Sequence, residues 1–219
     1  MNLREIIEAT LIELDRGTEA DTVAMYARKF TMYANEAVEE IARRFKVCVT
    51  DFTQLSGDPY PGFDLTTGDF THAAKRITKI MPATYVDLGN GSFRYDVDLK
   101  ARPYDFQQFV HGQPFIHVLD RRAKDGDYVA VEYRYVPNPM NADSINNVAP
   151  FEIDSPDLPE YLHSLIPLYV RAREQCGQDP SLQGTSSAFF SLFNQKVYQL
   201  QRETLSTPDS FQFKNYHFE

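Results

Sequence analysis

Apolar positions fall at helical spacing near both ends of the chain and at alternate positions through its middle. Leu3, Ile6, Ile7, Leu11 and Leu14 form one stripe, which predicts a helix over residues 2–15. Asn2 is placed to cap it, with Glu5 three residues on as capping-box partner, and Gly17 to end it. Thr18 starts a second, longer helix with Asp21 in its first turn. Its stripe runs Val23, Tyr26, Phe30, Tyr33, Ala37, Val38, Ile41 and Phe45. Arg43, Arg44 and Lys46 fall near its end, where cations complement the helix dipole.

The period changes after Lys46. VCVTDFTQL reads as a strand, stopped by the turn formers Gly57, Pro59, Pro61 and Gly62. Residues 63–82 are ambiguous, with a short helix around His72–Arg76 as one reading. TYVDL and SFRYDVDL flank Gly89-Asn90-Gly91, and Phe93, Tyr95, Val97 and Leu99 alternate, which predicts a β-hairpin. FIHVL and DYVAVEYRYV flank a turn at Lys124-Asp125-Gly126-Asp127 as a third β unit, with Val129, Val131, Tyr133 and Tyr135 on one face.

A Pro-, Asn- and Asp-rich stretch follows and predicts an ordered but irregular loop. Helical spacing returns in Leu162, Leu165, Ile166, Tyr169 and Val170, capped by Ser155 or Asp157 and ended by Gly177. Pro167 inside it is expected to kink or split the helix. Asp179-Pro180 opens a last helix carrying Phe189, Leu192, Phe193, Val197 and Leu200. The order helices, strands, helices predicts an α+β fold: terminal helical segments forming a helical bundle, with an inserted antiparallel β-rich domain. The expected organisation is a helical hairpin over 1–46, a β-rich insertion over 47–136, a linker loop over 137–160, helices completing the bundle over 161–205, and an extended arm over 206–219.

The net charge is −9, from 31 acids and 22 bases, and the bases are not clustered. That argues against a sequence-specific grip on nucleic-acid phosphates. A negative surface does suit a channel through which DNA slides without sticking. Two distant cysteines, Cys48 and Cys176, form no CxxC pair and read as reduced thiols. The start of the chain lacks the unbroken apolar run of a signal peptide, and no stretch approaches the ~20 apolar residues of a membrane span. The expected location is the cytoplasm or an assembly built there, with no membrane partner. Aromatics reach 13% without any Trp; the 13 Tyr and 16 Phe fit both β-strands and interfaces.

The five histidines, His72, His111, His117, His163 and His217, show no i, i+4 metal pair, and no HExxH, GxSxG or P-loop is present. His117 within an apolar strand reads as structural. The paired acids Asp64/Asp69, Asp96/Asp98, Asp154/Asp157 and Glu39/Glu40 read as solvated surface carboxylates. The expectation is a non-enzymatic chain without cofactor or metal. The alternative is a hydrolase using two of these acids.

Three segments carry a family resemblance: YARKFTMYANEAVEEIARRFKV closing the opening hairpin, VEYRYVPNPMNADSINNVAPFEIDSPDLPEYLHSLIPLYVRARE leaving the β block, and QDPSLQGTSSAFFSLFNQKVYQLQRE as closing helix. In that order they resemble the head-tail connector, or adaptor, proteins of tailed bacteriophages. The resemblance implies a dodecameric ring beneath the portal protein, a partner in the tail or stopper proteins, and passage of double-stranded DNA without sequence-specific binding. It implies a virion neck protein built in the host cytoplasm. Another neck, tail-completion, stopper or terminator role is the alternative. On this reading Phe211, Phe213, Tyr216 and Phe218 are the portal-binding residues. Asp143, Glu152, Asp154, Asp157 and Glu160 are the channel-lining candidates.

Overall fold

The computed structural model describes residues 1–57, 59–67, 69–89, 91–107, 114–147, 149–178 and 183–205. The fold is α+β, with helices at the two ends flanking a β-rich region. The chain divides into two compact units, one holding Met1–Phe45 and the described residues from Pro137 onward, the other Lys46–Val136.

The helical unit contains α1 (Leu3–Glu13), α2 (Ala20–Phe45), α3 (Leu165–Gln178) and α4 (Gln183–Leu205). The capping box forms: the Glu5 N–H donates to Asn2 Oδ1 and the Asn2 N–H to Glu5 Oε2, both at 3.0 Å. Gly17 is not the residue that stops α1. Asp15 adopts the left-handed conformation (φ 53°), and the Asp15 and Arg16 N–H groups close back on the Ile12 and Leu11 carbonyls. This is a Schellman ending, with an aspartate where glycine is usual. The second helix begins at Ala20 rather than Thr18.

The apolar stripes of α1 and α2 are buried as their spacing demands, Leu3, Ile6, Ile7, Leu11, Phe30 and Ile41 completely. Pro167 does not split α3, because the helix starts at Leu165 and the proline is its third residue. A first-turn N–H has no intrahelical partner, so its loss costs no ladder bond. Neither Ser155 nor Asp157 caps α3; both precede a separate 3₁₀ turn at Glu160–Leu162. In α4, Phe193 and Val197 are buried, whereas Leu192 is 46% exposed. Asp179-Pro180 lies outside the described residues.

The segment from Pro137 to α3 carries two more 3₁₀ turns, Ala142–Asn146 and Pro150–Glu152. It is tied to the helices by specific hydrogen bonds. Asn35 of α2 pairs with it twice: its amide donates to the Met140 carbonyl (3.0 Å) and accepts from the Met140 N–H (2.9 Å). Leu3 N–H donates to the Asp154 carbonyl (2.7 Å), and Arg4 donates to the Ile145 carbonyl. Met140, Ile145, Ile153 and Leu158 are buried.

The β unit holds β1 (Cys48–Gln54), β2 (Gly62–Asp64), β3 (Ala74–Gly89), β4 (Ser92–Val97), β5 (Phe115–His117) and β6 (Tyr128–Tyr135). An antiparallel sheet runs β1-β6-β3-β4, and β2 pairs with β5 as a two-stranded ribbon. Three local expectations are corrected. Residues 74–76 open the long strand β3 rather than a helix. Gly62 begins a strand rather than a turn, pairing with His117, and a Cβ there would collide with the Ile116 carbonyl oxygen. FIHVL pairs with β2, not with β6, so the Lys124–Asp127 turn joins no hairpin between them. The β3–β4 hairpin forms as its alternation predicts, with Gly89 and Gly91 at positive φ. Val129, Val131, Tyr133 and Tyr135 all point into the core, which also draws on Ile77, Ile80, Phe63 and Ile116.

Candidate interaction surfaces

Pairing register sorts the sheet's side chains onto two faces. Val129, Val131 and Tyr133 of β6 face the core, so Tyr128 and Ala130 face away. Phe52 lies opposite Ala130, Tyr85 opposite Tyr95, and Phe93 opposite Asp87. The outer face therefore gathers Phe52, Tyr128, Tyr85, Tyr95 and Phe93 from all four strands. Phe52 stacks on Tyr95 with ring centroids 4.5 Å apart, and Tyr85 stacks on Tyr128 (5.4 Å) and Phe93 (5.5 Å). Tyr85 is 41% and Phe93 48% exposed, so the cluster is packed within itself and open on top. Burial among the rings, with Tyr128 and the Asp69 carboxylate nearby, pushes the Tyr95 phenol up. Hairpin alternation predicts only that Phe93 and Tyr95 share a face. The period-two spacing of Tyr128 and Ala130 against the buried Val129 and Val131 was the available sign of the rest.

On the helical unit, α2 exposes Met25 and Met32, and Phe151 in the Pro150–Glu152 turn is 88% exposed. Of the expected channel-lining acids, Asp143, Glu152 and Glu160 are exposed. Asp154 and Asp157 are half-buried and occupied locally, accepting the Asn141 and Asn138 N–H groups. The expected portal-binding residues Phe211, Phe213, Tyr216 and Phe218 lie outside the described residues.

Five of the other paired acids also serve local structure: Asp64, Asp69, Asp96, Asp98 and Glu40. Asp64 accepts both the N–H and hydroxyl of Thr66, which stabilises the carboxylate and lowers its pKa from the ordinary value. Asp69 accepts from Thr53, Asp96 pairs with Arg94, Asp98 accepts the Lys100 N–H, and Glu40 is gripped by Arg43 and Arg44. The Arg122 guanidinium holds the Asp120 carboxyl far below its ordinary range while also bonding the Arg102 and Pro103 carbonyls. His117 is exposed, with Nδ1 3.3 Å from the Tyr60 carbonyl. Among the described residues, no group of three His, Cys, Asp or Glu side chains comes together as a metal site. Among them, too, no helix is long and apolar enough to cross a membrane.

Exposed aromatic and thioether side chains on both compact units suit a protein that works through contacts with other proteins. The chain belongs to the SU10 adaptor protein family, a family of phage head-tail adaptors, whose model matches residues 1–211. It is accordingly a structural protein of a bacteriophage virion. Comparison with curated proteins gives no match.

Proposed function

We propose that the chain is the subunit of a dodecameric ring seated beneath the portal protein, extending the DNA channel and giving the tail or stopper proteins a platform. The observation that carries this reading is family membership over nearly the whole chain. Exposed apolar surfaces on both units support it, since a closed ring needs two different contact surfaces on each copy.

Charge supports passage of DNA without capture. Residues 1–45 carry six bases against nine acids, residues 137–219 five against ten, and residues 46–136 eleven against twelve. The acidic excess thus belongs to the helical segments. Asp143, Glu152 and Glu160 are the acids free to face a channel; a phosphate nearing such a wall is repelled within about a Debye length, ~8–10 Å at moderate salt. The segment 206–219, with Phe211, Phe213, Tyr216 and Phe218, is the arm we assign to the portal.

Mixing the purified chain with its phage portal and imaging the product tests the reading. A dodecameric layer on the portal is expected; a ring seated only on the tail selects the terminator role instead. Deleting 206–219 is expected to abolish portal attachment and leave thermal unfolding nearly unchanged. Loss of folding on deletion makes the segment core packing and removes the docking role.

A further inference from the structure

The sheet's aromatic face and the outer ridge of α2 match each other in spacing, chemistry and charge. Tyr128, Tyr85 and Phe93 come from three adjacent strands, each displaced two residues along the ladder from the last, so they form a diagonal row. Centroid separations of 5.4 and 5.5 Å give the row a span of at most about 11 Å. On α2, Met25 and Met32 are 69% and 52% exposed. Seven residues at ~1.5 Å rise put them about 10.5 Å apart on one side of the helix. Arg28 lies between them and is exposed.

We infer that the Met25–Arg28–Met32 ridge of one copy lies along the Tyr128–Tyr85–Phe93 row of the next copy; this rests on the ring reading above. The thioethers meet ring edges and faces, a contact favoured by sulfur's polarisability. The Arg28 guanidinium lies over a ring face as a cation–π pair. Charge agrees with the match. Asp87, opposite Phe93 in the ladder, is exposed and uses one carboxylate oxygen on the Gly89 N–H. Asp69 adds negative charge near Tyr95. The row therefore offers acids to an arginine. Because the ridge and the row are different surfaces, each copy gives one and receives the other, and the contact repeats head to tail until the ring closes.

The test uses the full chain with Cys48→Ser and Cys176→Ser, assembled on its portal. Phe93→Cys is combined with Met25→Cys in one version and with Met32→Cys in another, since the ridge has two possible directions along the row. Mild oxidation is expected to give, in one of the two, a ladder of covalent multimers on a denaturing gel. Chains with a single introduced cysteine are expected to stay monomeric. Portal-bound rings that give no ladder in either version overturn the inference and leave the ring reading standing. A cross-link confined to single chains also overturns it, by placing the ridge on its own sheet. Failure of the unmodified chain to form any ring on the portal removes both. As an independent measurement, Arg28→Glu is expected to cut ring assembly at least tenfold without changing thermal unfolding of the free chain. Undiminished assembly would count against the contact.

Discussion

Buried polar residues are where single substitutions have the sharpest readouts. His163 is 5% exposed, and its Nε2–H donates to the Leu158 carbonyl at 2.8 Å. Burial pulls its pKa below the ordinary 6.5. Between that value and the lower folded one, the unfolded chain binds a proton that the native chain refuses. The stabilisation is therefore full above about pH 6.5 and declines as pH falls through the folded value. Thermal melts from pH 7.5 to 5 are expected to show this decline, and His163→Gln, which cannot ionise, to flatten it. Tyr133 is wholly buried, donates to Asp51 Oδ2 at 2.6 Å and accepts the His72 N–H at 3.2 Å. Burial, with the Asp51 carboxylate, pushes its phenol well above the usual range. Tyr133→Phe keeps the ring but strands these partners, and urea unfolding is expected to register a loss of about 1–3 kcal/mol. Composition and spacing marked Tyr133 as core, but not the hydroxyl network, because its partners are 82 and 61 residues away.

At the scale of elements, ion pairs bind the helices through one buried carboxylate. Glu174 of α3 is 1% exposed and meets Lys29 of α2 at 2.7 Å and Arg16, between α1 and α2, at 3.4 Å. Arg16→Ala with Lys29→Ala removes two cations that face that buried carboxylate and is expected to cost about 3–5 kcal/mol in chemical unfolding. Glu174→Gln is expected to cost less, because Arg16 and Lys29 are 26% and 44% exposed and can regain water. Element misreadings have a common origin. Residues 72–76 look helical locally, yet β6 lies alongside from Ala74 and recruits residues 74–76 as strand. Pro82 lies inside β3, and β4 accompanies β3 only from Ala83 onward, so the proline sits where the strand has a single neighbour. Leu192 fits the α4 stripe by spacing but faces outward, since the buried stripe runs through Phe193 and Val197.

For the whole molecule, the way the β unit joins the chain has a consequence for folding. The chain enters on β1 and leaves on β6, and those strands are paired neighbours, with Cys48 opposite Arg134. Paired residues lie about 4.5–5.5 Å apart, so the unit's two ends are adjacent. Its core cluster is built from its own strands and loops. Residues 46–136 expressed alone are expected to fold cooperatively with a β-type circular dichroism spectrum. A non-cooperative melt would mean that the helical unit is needed to hold them.

The α+β class, the capping box of α1, the stripes of α1 and α2, the β3–β4 hairpin and the inward row of β6 were all set by local order in the sequence. Each rests on contacts within a few residues or on a period that one face imposes. Strand partners, the start of β3, the two-stranded ribbon and the outer aromatic face were decided only by tertiary structure. Whether Tyr85 meets Tyr128 depends on register between strands more than 40 residues apart in sequence, and a one-residue slip would turn each ring to the other side. The same holds for charge. The acidic stretch between the β unit and α3 is plain in the sequence, but folding uses Asp154 and Asp157 to satisfy backbone N–H groups and leaves Asp143, Glu152 and Glu160 to the solvent. A polar backbone that leaves water must find partners, and which carboxylates supply them is a matter of where the chain brings them.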